Sequence, residues 1–134
     1  MASKNTAKMS QDSVADALNM MLNAKKARKK DVKIKRISKL LIEILKIMKQ
    51  EGAIKKYKIE SKERAVEIVL GDFVECKAIK PRFIVKKDGI EKYKRRYLPA
   101  RDIGTVIIST NKGLMPHDEA IKNKFGGSLI AYFY

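Results

Sequence analysis

Apolar residues recur along this chain in two rhythms, and the changes between them mark out its elements. Val14, Leu18, Met21 and Leu22 fall three or four apart, on one face of a helix. Asp12 or Ser13 is placed to cap it, and Ser13-x-x-Asp16 has the spacing of a capping box. This helix runs out in Lys25-Lys26-Ala27-Arg28-Lys29-Lys30, cations where the dipole favours them. Val32 and Ile34 then alternate with lysines, predicting a short strand. Ser38 is a cap for a second helix, whose buried stripe is Leu41, Ile44, Leu45 and Met48, widened by Leu40 and Ile47. Glu51-Gly52 ends it, with glycine at the left-handed position. Ile54 to Ile59 and Ala65 to Leu70 read as a hairpin through the turn Ser61-Lys62-Glu63-Arg64. The pattern predicts an N-terminal α-β-α-β-β lobe over residues 11–71, after a mobile basic tail at residues 1–10.

From residue 72 onward the rhythm is mostly that of strands. Phe73 to Ile79 and Phe83 to Lys87 are strand candidates interrupted by Pro81. Residues 88–102 are charged and irregular, with a helical turn expected around Ile90-Glu91-Lys92-Tyr93. Ile103 to Ser109 reads as a strand, Pro116 to Lys124 as a helix, and Ser128 to Tyr134 as a closing strand after Gly126-Gly127. The fold class is therefore α+β: two small lobes, the second (residues 72–134) β-rich with one short helix.

Charge sharpens this picture. The 134 residues hold 31 lysines and arginines against 15 acids, a net charge of +16, which asks for a polyanionic partner. No apolar run approaches the length that spans a bilayer and no signal-peptide pattern opens the chain, so a cytoplasmic location is expected. One cysteine, Cys76, excludes an internal disulfide, and one histidine, His117, leaves too few soft ligands for an ordinary zinc site. Walker and Rossmann glycine spacings are missing, so neither catalytic residues, metal nor cofactor is expected. A nuclease using His117 or the Asp118-Glu119 pair is disfavoured, because adjacent helical acids point about 100° apart. A DNA-compacting chromatin protein has charge alone in its support. For Lys25 to Lys30, a solvated helix end and a phosphate-facing patch both remain open.

The most informative stretch is Ser109-Thr110-Asn111-Lys112-Gly113-Leu114-Met115, fed by Val106-Ile107-Ile108 and left through Pro116-His117-Asp118-Glu119-Ala120. Hydroxyls, an amide, a lysine and a glycine between a strand end and a helix N-terminus suit a phosphate or ribose, although most such clusters are ordinary polar turns.

Strand, S-T-x-K-G-x-M loop, helix, Gly-Gly and strand follow in order from Ile108 to Tyr134. With Asp12-x-x-Ala15-Asp16, Asn23-Ala24, Ser38-Lys39-Leu40 and Ala78-Ile79-x-Pro81-Arg82, this resembles small-subunit ribosomal protein eight, the S-eight family. Tyr97-Leu98-Pro99-Ala100-Arg101-Asp102 is similar to its archaeal and eukaryotic branch. The resemblance implies a two-lobed, non-enzymatic protein, monomeric when free. It would bind an irregular stem in the central domain of small-subunit ribosomal RNA early in assembly, beside neighbouring ribosomal proteins. Ser109, Thr110, Asn111, Lys112, Gly113 and Met115 would lie in or beside the RNA-binding loop, and Ser38 and Lys39 where the N-terminal lobe touches RNA. Arg82, Phe83, Tyr97, Arg101 and Ser128 complete the expected set. Short hydroxyl and amide side chains can give and accept hydrogen bonds to 2′-hydroxyls, while lysines serve phosphates.

Departures from the family pattern fall at particular positions. Asn111 replaces a hydroxyl, Pro116 a helix-capping hydroxyl residue, Ser128 a frequent glutamate and Phe83 a tyrosine. Ser13 stands for a common proline and Lys77 for a glycine.

Overall fold

The computed structural model describes residues 13–35, 37–62, 64–80, 82–100 and 103–134. The expected tail at residues 1–10, Asp12 as a cap and Arg101 as an RNA contact lie outside the described residues. Two compact units divide the chain, one running to Asp72 and the other from Phe73 to Tyr134.

The first unit follows the order read from its apolar periodicity. Helix α1 (Ser13–Lys26) buries Val14, Leu18, Met21 and Leu22; strand β1 (Asp31–Lys35) follows. Helix α2 (Lys39–Gln50) buries Leu41, Ile44, Leu45, Ile47 and Met48 and is capped by Ser38, whose hydroxyl oxygen accepts from the Leu41 N–H at 3.2 Å. That bond satisfies one otherwise orphaned donor and is worth about 1 kcal/mol. Strands β2 (Ile54–Glu60) and β3 (Ala65–Leu70) form the hairpin, and the antiparallel sheet has the order β1-β3-β2. Both helices end in Schellman motifs. After α2 the left-handed residue is Gly52 (φ +85), with Ala53 N–H bonded to Met48 O at 2.9 Å. After α1 it is Arg28 (φ +60), with Lys29 N–H bonded to Ala24 O at 2.9 Å. A cation thus takes a glycine's place inside the basic run, and the Lys25 ammonium donates to the Gly71 carbonyl.

In the second unit the sheet is as expected in kind, but its pieces differ. The strands are β4 (Cys76–Ala78), β5 (Ile84–Val85), β6 (Thr105–Thr110), β7 (Gly113–Pro116) and β8 (Gly127–Phe133). β8 is central: it pairs antiparallel with β4, β5 and β6, and β6 pairs onward with β7. One short helix was expected here, and the described residues form two α-helices. Helix α3 (Ile90–Tyr97) fills most of the stretch read as irregular, and α4 (His117–Lys122) is shorter than the Pro116 to Lys124 expectation. The first two strands are likewise shorter than Phe73 to Ile79 and Phe83 to Lys87.

One face of this sheet packs on both helices. Its core gathers Ile79, Val85, Ile90, Leu98, Val106, Ile108, Met115, Ala120 and Leu129. His117, at 1% exposure, ties α4 to the sheet: its Nδ1 accepts the Val106 N–H at 3.1 Å, and its Nε2 lies 3.0 Å from an Asp118 carboxylate oxygen. This geometry belongs to the neutral Nε2–H tautomer. Burial holds its pKa below the usual imidazole value, with Lys94 working in the same direction and Asp118 and Glu91 opposing. The lone histidine is a structural clasp and offers no free base for nuclease chemistry. Cys76 is equally closed off: burial, then the Glu75 carboxylate, push its thiol up to about 12.

Candidate nucleic-acid interface

The stretch from Ser109 to Met115 is a hairpin rather than a loop running into a helix. Ser109 and Thr110 close β6, Asn111 and Lys112 form the turn, and Gly113 to Met115 belong to β7. The tip is therefore separated from α4 by a paired strand, and the expected phosphate seat at that helix N-terminus is not formed. Pro116 stands at its N-cap and supplies no side-chain hydrogen bond.

Gly113 has φ +108 directly after the turn residues Asn111 and Lys112, a backbone conformation that glycine adopts without steric cost. Thr110 fixes the same turn from inside: its hydroxyl donates to Gly113 O at 2.9 Å and accepts from the Lys112 N–H at 3.1 Å. Its one proton is thereby committed, leaving a single lone pair for any ligand. Of the Ser109-Thr110 pair, Thr110 is thus the hydroxyl that closes the turn. Asn111 and Lys112 are exposed at the tip.

Strand register then brings together residues far apart in sequence. Ser109 faces Ser128 across β6 and β8, Ser128 faces Ile84 across β8 and β5, and Ser109 faces Leu114 across β6 and β7. Directly opposed residues share a sheet face, so Ile84, Ser128, Ser109 and Leu114 form one row. The adjacent positions point the other way: Ile108 pairs with both Leu129 and Met115, and all three lie in the core. A bulge sets this phase, since Ile107 faces Ala131 whereas Ile108 faces Leu129, leaving Ile130 as the extra residue.

Gly127 makes the row's closeness possible. A Cβ there would lie 2.0 Å from the Ser109 carbonyl oxygen, so only glycine lets β8 approach β6.

The remaining expected residues occupy different settings. Met115 is 7% exposed and part of the core, so its side chain is not available to a ligand. Phe83 is partly buried against that core and stacked on Tyr93 at 5.6 Å between centroids, with the Arg96 guanidinium 5.8 Å from its ring. Tyr97 stacks on Tyr132 at 5.2 Å, and Tyr132 on Tyr134 at 6.3 Å. Arg82 is exposed beside β5. Ser38 and Lys39 belong to the first unit, where the Ser38 oxygen is occupied as a cap and Lys39 is exposed. The resemblance did not mark Ile84 or Leu114; only the cross-strand register reveals them.

The chain is thus a strongly basic α+β protein whose polar groups line one sheet face and a hairpin tip. Comparison with known proteins shows which family it belongs to. The family model described as "Ribosomal protein S8" matches residues 12–134, and this chain belongs to that family, a family of ribosomal structural proteins. Among its relatives, "Small ribosomal subunit protein uS8" of Nanoarchaeum equitans is 43% identical over 129 residues, covering 94% of this chain and 100% of the relative. Proteins of the same name from Thermoplasma acidophilum and Archaeoglobus fulgidus are each 40% identical over 129 residues, with the same 94% and 100% coverage.

Proposed function

We propose that this chain is a cytoplasmic structural constituent of the small ribosomal subunit. It binds an irregular stem in the central domain of small-subunit ribosomal RNA, enters early in assembly as a monomer, and packs beside neighbouring ribosomal proteins. The observation that carries the reading is the Ser109–Ser128 pair, two short hydroxyls held side by side on a sheet face away from the core. No bond within the described residues occupies the Ser109 hydroxyl, so it is free to give and accept toward an RNA ribose or base edge. Exposed Lys112 and Arg82 beside this face would add phosphate contacts that position the RNA without reading it. Family membership and a net charge of +16 support the same partner.

Competition binding at raised salt tests the reading. Labelled central-domain stem RNA should remain bound when excess duplex DNA is added. Equal displacement by either nucleic acid would instead favour a general compacting protein held by charge.

A further inference from the structure

The row described above ends in Ile84, which lies outside the motifs that carry the resemblance. Ile84 is 84% exposed, although its neighbours Phe83 and Val85 both turn into the core. Strand alternation fixes it outward, so it cannot fold back to join them. β5 is a strand of two residues at the sheet margin, where exposed positions usually carry charge to discourage pairing. Here the outward position is a bare β-branched hydrocarbon between exposed cations: Arg82 before it, Lys86 and Lys87 after it.

Resting on the RNA-binding reading above, we propose that Ile84 is a specificity-determining residue of the same interface, its side chain packing on the face of an unpaired RNA base whose polar groups meet Ser128 and Ser109. Neighbouring strands lie about 4.8 Å apart, so the two hydroxyls stand roughly one and two strand spacings from Ile84. A nucleobase has an apolar face and a polar edge, and this row offers an apolar contact followed by two hydroxyls. In a paired A-form stem the base faces are stacked away, and only an unpaired nucleotide can present one. The surrounding cations suit the phosphates on either side of such a nucleotide and would be poor neighbours for an apolar protein surface. Leu114, half-buried at the far end of the row, closes the strip beyond the hydroxyls.

The test uses the full chain and two RNAs: the central-domain stem with its irregular nucleotides, and the same stem with those nucleotides converted to Watson–Crick pairs. Wild type is compared with Ile84→Ala and Ile84→Leu, and unfolding curves confirm that the exposed substitutions leave the fold unchanged. Ile84→Ala should bind the irregular stem about three- to tenfold more weakly, the effect of losing part of one buried aliphatic side chain. It should bind the paired stem like wild type and keep the same salt slope, since no charge changes. Ile84→Leu should restore most of the preference. Undiminished preference in Ile84→Ala, or equal weakening on both stems, would overturn this proposal alone. Retained RNA affinity together with poorer incorporation into subunits would assign the face to a protein partner, and would overturn it too. Wild type with no preference for the irregular stem would overturn the RNA reading and this proposal with it.

Discussion

His117 makes the chain's stability depend on pH in a way that can be isolated. It is the one histidine in 134 residues, so between pH 7 and 5 most proton uptake on unfolding falls to a single side chain. In the folded state the imidazole is buried and neutral, with pKa lowered from 6.5 chiefly by desolvation. Protonating Nδ1 would also remove the lone pair that accepts the Val106 N–H at 3.1 Å. The sign follows from linkage: below pH 6.5 the unfolded chain binds a proton that the folded chain refuses, so stability falls as pH falls. Above 6.5 the contribution is fully present; it declines until the lowered folded pKa is passed. The steepest slope a single group can produce is about 1.4 kcal/mol per pH unit. Urea unfolding at half-unit steps from pH 7.5 to 5, on wild type and His117→Gln, measures it. The variant should be less stable at pH 7.5 and much flatter with pH. Equal slopes in the two proteins, or a wild type that gains stability toward pH 5, would refute the clasp as described.

Three further outcomes follow from the same geometry. Thr110→Val should lower stability by about 1 kcal/mol through two exposed turn bonds, whereas Ser109→Ala should leave the unfolding midpoint close to wild type; reversed effects would exchange their roles. Gly127→Ala should destabilise by about 3 kcal/mol in urea unfolding, because its methyl would collide with the Ser109 carbonyl; a neutral result would mean β8 and β6 part easily. Cys76 should stay unmodified by a thiol reagent at pH 8 until denaturant is added, and rapid native labelling would contradict its burial and its thiol pKa near 12.

The elements readable from sequence were those whose burial pattern has a clean period. Leu41, Ile44, Leu45 and Met48 announce α2, and Ile54 to Leu70 announce the hairpin, because each buries one face against a single layer. Helix α3 was hidden by its composition. In Ile90-Glu91-Lys92-Tyr93-Lys94-Arg95-Arg96-Tyr97 the inward positions are Ile90, Tyr93 and Tyr97, a sparse stripe under a crowd of charges. Strand β7 was missed because glycine begins it and proline ends it, residues that usually mark loops.

The interface divides in the same way. Family resemblance named Ser109, Lys112 and Ser128, which the structure places in the cross-strand row and at the hairpin tip. It placed Met115 in the RNA-binding set, where the register shows a core residue, and it treated the two adjacent hydroxyls alike although one closes the turn. Ile84 and Leu114 could not be read beforehand. Ile84 pairs with Ser128 and Leu114 with Ser109, and the bulge between Ile107 and Ile108 in the β6–β8 register joins these two pairs into one row.

Chemical footprinting of protein-free small-subunit RNA, with wild type and with the Ser109→Ala/Ser128→Ala double variant, puts the RNA-binding account to its most direct test. Wild type should protect nucleotides in an irregular central-domain stem. The double variant should need roughly tenfold more protein or greater for the same protection, since each lost hydrogen bond costs about 0.5–1.5 kcal/mol. Its background binding and salt slope should be those of wild type, because no charge has been removed. Protection of the same nucleotides at the same concentration by both proteins would contradict the account, as would a wild type that protects no distinct site.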